Sequence, residues 1–111
     1  MPHKGWRGTP LQRFWSFVDT ADLSGCWIWK KGGINPDGYG QFWSGERQMP
    51  AYRWLYEFIF GPLPSQLELH HLCRTPACVR PTHLQPVTHR ENMRRRGQHY
   101  RASLVEARHA T

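Results

Sequence analysis

His70-His71-Leu72-Cys73-Arg74-Thr75-Pro76-Ala77-Cys78-Val79-Arg80-Pro81-Thr82-His83-Leu84 holds two of the three cysteines and three of the seven histidines of the chain. Four residues separate Cys73 from Cys78, and four more separate Cys78 from His83. Zinc takes thiolate and imidazole ligands that converge at about 2.0–2.3 Å in a tetrahedron, and a short proline-containing loop can bend three such side chains inward. The fourth ligand has to come from elsewhere, and Cys26 is the cysteine left. It would tie the N-terminal part of the chain to the loop and lock a small core. The competing reading is three buried free cysteines, which act as small hydrophobes, and a surface histidine. A zinc ion with four protein ligands is closed to water, so its role would be structural.

Composition makes such a staple useful. The chain has 111 residues, which favours one domain over 1–111 and only a modest core. Aromatic residues make up 14%, with six tryptophans, so core-forming material is present. An odd number of cysteines cannot close a disulfide set, and thiols free to bind metal imply a reducing compartment. Fifteen Lys and Arg against eight Asp and Glu give a formal net charge of +7. That balance favours a polyanionic partner, and nucleic acid is the usual one; the alternative is a basic protein without such a partner. No apolar run reaches membrane-spanning length, and Met1 to Gly5 lacks the apolar core of a secretory signal. A cytoplasmic protein with no membrane partner is expected.

Upstream of the loop, residues 1–9 read as a loose polar arm. Leu11, Phe14, Trp15 and Val18 recur at helical spacing. Cys26-Trp27-Ile28-Trp29 is rich in strand formers, and Tyr39 to Trp43 reads as its return strand across the turn signals of Gly32-Gly33 and Asn35-Pro36-Asp37-Gly38. Residues 50–60 form the clearest helix: Pro50 suits its first turn, Ala51, Trp54, Leu55, Phe58 and Ile59 share one face, and Gly61-Pro62 stops it. A strand should end near His70-His71, and Leu84 to Val87 should return from the loop. Thr88-His89-Arg90-Glu91 fits a capping box that opens a helix ending at Gly97. Residues 98–111 read as a tail.

Two residues beside the loop can carry chemistry. A cation that fixes Cys73 also fixes the backbone at His71, whose neutral imidazole could take a proton from water. Asn92, near the start of the capped helix, could offer its amide oxygen to a hard divalent cation. Each taken alone is better read as a solvated side chain, and it is the spacing of the set that favours chemistry. Arg94-Arg95-Arg96 would bind phosphates and release counterions, or else sit as a solvated helix end that favours the dipole. Lys30, Lys31, Asn35 and Gln41 of the upstream hairpin are further contact candidates.

The order His71, Cys73, Cys78, His83, Asn92 resembles the His-Cys box of homing endonucleases and the zinc-containing HNH proteins of phage and bacterial genomes. The resemblance runs over roughly residues 12–96 and includes Cys26-Trp27-Ile28-Trp29, Gly38-Tyr39-Gly40, Ala51-Tyr52-Arg53 and Glu91-Asn92. It implies a small zinc-stapled ββα-metal (His-Me finger) nuclease fold of the α+β class, with an N-terminal helix and β-hairpin. It implies that His71 is the general base, that Cys26, Cys73, Cys78 and His83 bind structural Zn²⁺, and that Asn92 binds a catalytic Mg²⁺ or another divalent cation. The implied reaction is hydrolysis of a DNA phosphodiester, leaving 5′-phosphate and 3′-hydroxyl ends.

Two positions depart from the family pattern. Arg80 stands where many relatives have Asn, and it could serve as a phosphate contact. His70 stands where many have Asp; nucleases with His-His here use the first as a metal ligand, so His70 joins Asn92 as a candidate ligand. Arg74 is a candidate phosphate clamp, and Arg53 a further DNA contact. A homodimer would turn single-strand nicking into a double-strand break. The resemblance places the protein in a bacterial host or a phage, in a homing or packaging context. The rival readings are a zinc-stapled DNA-binding module that does not cut, and a small structural or assembly protein of phage particles.

Overall fold

Thr9 and Pro10 open the first element. The Thr9 hydroxyl accepts the Gln12 N–H at 3.1 Å, and the Gln12 side chain accepts the Thr9 N–H at 2.8 Å. This reciprocal cap and the proline at the first helical position start α1, Pro10–Trp15. The computed structural model describes residues 8–97, in a small α+β arrangement. Most of the expected arm at 1–9, and the expected tail at 98–111, lie outside the described residues; Gly8 and Thr9 belong to the approach to α1.

The order after α1 is β1 (Val18–Asp19), β2 (Ile28–Trp29), β3 (Gly33–Ile34), β4 (Gly40–Trp43), β5 (Gln48–Pro50), α2 (Ala51–Phe60), β6 (Leu67–His71), a 3₁₀ turn (Pro81–His83) and β7 (Leu84–Thr88). A last helix, α3, is helical from residue 89 through 97. α1 ends before Val18, which joins β1 instead of the helix.

The strand pairing corrects the expected hairpin. β2 pairs with β1, Val18 opposite Trp29, and β4 lies between β3 and β5. The cause is the turn at Asn35, whose side-chain oxygen accepts the Asp37 and Tyr39 N–H groups at 3.0 Å each. A turn closed so tightly pairs only its immediate flanks, here Gly33 opposite Gln41 and Ile34 opposite Gly40. Trp29 packs across this hairpin. A Cβ at Gly32 or Gly40 would fall 2.3 or 2.5 Å from the Trp29 ring, so only glycine allows the approach.

Trp29, Phe14, Phe42, Ala51, Leu55 and Val79 form the buried core. Phe14 is its centre, stacked on Trp54 at 5.1 Å and in tilted or edge contact with Trp29 and Phe42. α2 packs on β4 and β5 through Ala51, Trp54 and Leu55. Two expectations for this helix change. Pro50 is extended and ends β5 instead of lying in the first helical turn. Phe58 and Ile59 are 57% and 50% exposed; Ala51 and Leu55 are the buried residues of the helix, and Phe58 stacks on Trp54 with ring centres 5.3 Å apart.

β6 and β7 pair antiparallel through five residues, from Leu67 opposite Thr88 to His71 opposite Leu84. Thr88 then caps α3, its hydroxyl accepting the Glu91 N–H at 3.2 Å. The Glu91 carboxylate does not complete the expected box; it holds Arg94 and Arg95 instead. Gly97, expected as the stop, is still helical as the last described residue. Among the described residues no helix is long and apolar enough to cross a membrane.

Candidate functional site

Backbone pairing brings the four expected ligands together. The loop after β6 is joined to β2 by an Ile28–Cys78 bridge, by Trp29 N–H to the Ala77 carbonyl at 2.9 Å, and by Val79 N–H to the Trp27 carbonyl at 2.8 Å. The Leu72 N–H donates to the His83 carbonyl at 2.8 Å and closes the loop's base. The ligand atoms of Cys26, Cys73, Cys78 and His83 then all lie within 4.8 Å of one another. The Cys26 and Cys78 sulfurs approach His83 Nδ1 to 3.6 and 3.5 Å. A thiolate and an imidazole on one tetrahedral zinc would be about 3.5–3.6 Å apart, given their usual bond lengths. The four side chains could therefore hold a metal ion such as zinc. Burial pushes the Cys78 thiol up to about 12, so it keeps its proton until a cation displaces it.

Arg80, read from the sequence as a phosphate contact, is turned toward this loop. Its Nη1 donates to the Gly25 carbonyl at 2.7 Å, its guanidinium lies 5.4 Å from the Trp27 ring centre, and its Nε is buried without a hydrogen-bond partner. It braces the residue before Cys26 against the residues after Cys78.

Beside this cluster lies a cleft of about 280 Å³ lined by His70, His71, Asn92, Arg74 and Arg96, with Asp37, Tyr39, Leu69 and Pro76. Alternate residues of a strand face opposite ways, so Glu68 and His70 meet α3 while Leu69 and His71 meet the body. His71 is 8% exposed and packs against Tyr52 and Tyr39, with ring centres 4.6 and 5.6 Å away. Its Nε2 lies 3.0 Å from the Cys78 carbonyl, which can only accept. Nε2 therefore carries the proton, and in the neutral ring Nδ1 is the basic nitrogen. Burial holds the His71 pKa below its ordinary 6.5, against the pull of that carbonyl, so the neutral ring prevails at pH 7.

On the other face of β6, His70 Nδ1 lies 3.1 Å from Asn92 Oδ1. The Asn92 Nδ2 donates to Glu68 at 2.6 Å, and Glu68 also lies 3.1 Å from His89 Nδ1. Two ligands on adjacent corners of a Mg²⁺ octahedron are about 3.0 Å apart at the usual bond length. His70 Nδ1 and Asn92 Oδ1 stand at that separation as a hydrogen-bonded pair, in which Nδ1 carries the proton and donates; the His70 proton would have to move to Nε2 before both atoms could face a cation. Burial holds the His70 pKa below 6.5 as well, which favours the neutral ring.

The arginines divide. Arg74 and Arg96 line the cleft; Arg74 adopts a left-handed φ of 59° and donates to the Arg95 carbonyl at 3.3 Å. A non-glycine residue in that conformation carries strain, and such strain gathers at functional loops. Arg94 is paired with Glu91 at 2.6 Å, and Arg95 with Glu91 and Gln85 at 2.8 and 2.6 Å. These pairs hold the Glu91 carboxyl down to about 2. Arg53 bonds Glu57 one helical turn away at 3.2 Å, outside the cleft. In the upstream hairpin, Lys30 pairs with Asp19 at 3.1 Å and Asn35 is committed to its turn.

The sequence reading missed Glu68, Tyr39, Tyr52 and Asp37. Glu68 had a legible signal, since it stands two residues before His70 and so shares its strand face. Tyr39 and Tyr52 reach His71 only through the tertiary packing of the β3–β4 turn and α2.

Residues 50–94 match the HNH endonuclease family, and this bears out the resemblance over the stretch that holds most of the cleft and three of the four sulfur and imidazole ligands. Protein 7.7 of Escherichia phage T7 is 33% identical over 70 residues, covering 63% of this chain and 53% of that protein. The chain thus spans about half the length of that relative. An uncharacterized gene 5.3 protein of Enterobacteria phage T3 is 28% identical over 76 residues, covering 63% of this chain and 75% of that protein. No solved structure matches significantly.

Proposed function

We propose that the protein is a metal-dependent DNA endonuclease of the ββα-metal type, stapled by one structural zinc on Cys26, Cys73, Cys78 and His83. The observation that carries this is the pairing in one cleft of a tautomer-locked, neutral His71 with a His70–Asn92 pair 3.1 Å apart. β6, β7 and α3 would be the ββα-metal module. His71 accepts a proton from the attacking water at Nδ1, while the Cys78 carbonyl holds its other nitrogen. Asn92 and His70 would hold a divalent cation such as Mg²⁺, Asn92 through Oδ1 and His70 through Nδ1 once its proton stands on Nε2. When bound, that cation stabilises the charge that develops on the phosphate and the leaving oxygen. Arg74 and Arg96 bind flanking phosphates from the cleft rim.

The family match and the +7 net charge both favour DNA as substrate. The two phage relatives favour a phage setting, acting in the cytoplasm of a bacterial host. One such cleft cuts one strand, so double-strand cleavage would require a symmetric pair.

The test is cleavage of supercoiled plasmid with and without Mg²⁺ or Mn²⁺, comparing wild type with His71→Ala. We expect metal-dependent nicking by wild type and a loss of at least about 100-fold in the variant. Nicking that survives the substitution would overturn His71 as the base. A folded, zinc-loaded wild type that binds DNA and leaves every supplied sequence intact would favour the non-cutting DNA-binding module.

A further inference from the structure

Glu68 has no part in the resemblance, and it does not line the cleft. Its carboxylate nevertheless decides which way Asn92 faces. An amide side chain has an oxygen end and a nitrogen end of nearly the same shape, and only the oxygen binds a cation. Nothing in the backbone of α3 chooses between them. An ionised carboxylate can only accept, so the short 2.6 Å contact must come from the Asn92 NH₂ group. Asn92 Oδ1 is thereby turned to His70, 3.1 Å away. His89, 3.1 Å from the other carboxylate oxygen, holds Glu68 in place from the solvent side.

We infer that Glu68 is a positioning residue, which acts through Asn92 by fixing its amide oxygen toward the cation-binding corner of the cleft. The inference rests on the reading of Asn92 as a cation ligand. Partners behind metal ligands commonly account for about 10–100-fold in metal affinity. The carboxylate also adds negative charge behind two neutral ligands, which compensates for the absence of an acidic side chain at position 70.

The experiment measures Mn²⁺ binding by electron paramagnetic resonance in zinc-loaded full-length protein carrying His71→Ala, so that no turnover intervenes. Asn92→Ala, Glu68→Ala, Glu68→Gln and the Glu68→Ala/Asn92→Ala pair are compared. Glu68→Ala should weaken Mn²⁺ about 10–100-fold. The double variant should bind no more weakly than Asn92→Ala, because Glu68 acts through that residue. Glu68→Gln keeps the shape and can still accept one N–H, so it should fall between wild type and Glu68→Ala; it also serves if the alanine variant fails to fold. A Glu68→Ala or Glu68→Gln protein that binds Mn²⁺ as wild type does, while Asn92→Ala does not, overturns this inference alone. Fully additive losses in the pair also overturn it, by making Glu68 an independent ligand. If Asn92→Ala leaves binding unchanged, the reading of the cleft falls and this inference with it.

Discussion

Arg94, Arg95 and Arg96 are neighbours in sequence with different surroundings. A helix advances about 100° per residue, so three consecutive side chains leave on three bearings. Arg94 and Arg95 turn to Glu91, one helical turn back, while Arg96 reaches the cleft. A guanidinium already paired with a carboxylate gains less from a phosphate than one whose charge is open to it. Arg96→Ala should therefore reduce the slope of log affinity against log salt for plasmid DNA by about one, and Arg94→Ala by clearly less. Equal slopes for the two variants would show that the paired arginine is released on binding and that the cleft has no privileged cation.

At the scale of elements, the hairpin was drawn from the right strand formers and the wrong partner. The dipeptides Gly32-Gly33 and Asp37-Gly38 are both turn signals, and alternation alone cannot say which one closes the hairpin. The side-chain oxygen of Asn35 resolves it by closing the second, and Trp29 is left to cross the first. Gly40→Ala tests this packing, because the new Cβ would fall 2.5 Å from the Trp29 ring. Overpacking of this kind costs roughly 1–3 kcal/mol, so the melting temperature should fall by several degrees. An unchanged melting temperature would mean that Trp29 does not lie against β4. The end of α2 shows the same limit of pattern reading: Phe58 and Ile59 keep the helical period of Ala51 and Leu55 and yet stand exposed.

At the scale of the whole molecule, the cluster of Cys26, Cys73, Cys78 and His83 joins the N-terminal strands to the β6–β7 module, as the contact of Tyr39 with His71 and the Arg80–Gly25 bond also do. Cys26 comes from the first and Cys73, Cys78 and His83 from the second. Structural zinc contributes on the order of 10 kcal/mol to the folding of small domains, comparable with the entire stability of a protein this size. With zinc on this cluster as proposed, a strong chelator or Cys26→Ala should therefore remove it and abolish the near-ultraviolet circular dichroism of the tryptophans packed in the core. Plasmid nicking should go with it, since the Cys78 carbonyl also holds His71. Zinc affinity should fall as pH is lowered, because the buried Cys78 thiol has to lose its proton to bind. A chelated protein that keeps its dichroism would show that the aromatic core stands without the staple.

The spacing of Cys73, Cys78 and His83, and the order of His71 and Asn92 around them, were enough to foresee a clustered metal site, a β6–β7 pair and the helix that carries Asn92. Those features depend largely on local chain geometry: a short loop between two strands brings Cys73, Cys78 and His83 together, and a capping threonine starts a helix where it stands, whereas Cys26 joins the cluster only through the pairing of β2 with the loop. The partners of each functional atom were not legible. That Arg80 braces the loop, that Tyr52 walls His71, and that Glu68 turns the Asn92 amide all depend on groups brought together from 19 to 55 positions apart, Tyr52 and His71 at the near end and Gly25 and Arg80 at the far end. Sequence patterning carries the period of a strand or helix and the reach of a loop. Which face meets which partner, and which nitrogen of an imidazole keeps its proton, is decided only when the packed chain sets donors against acceptors.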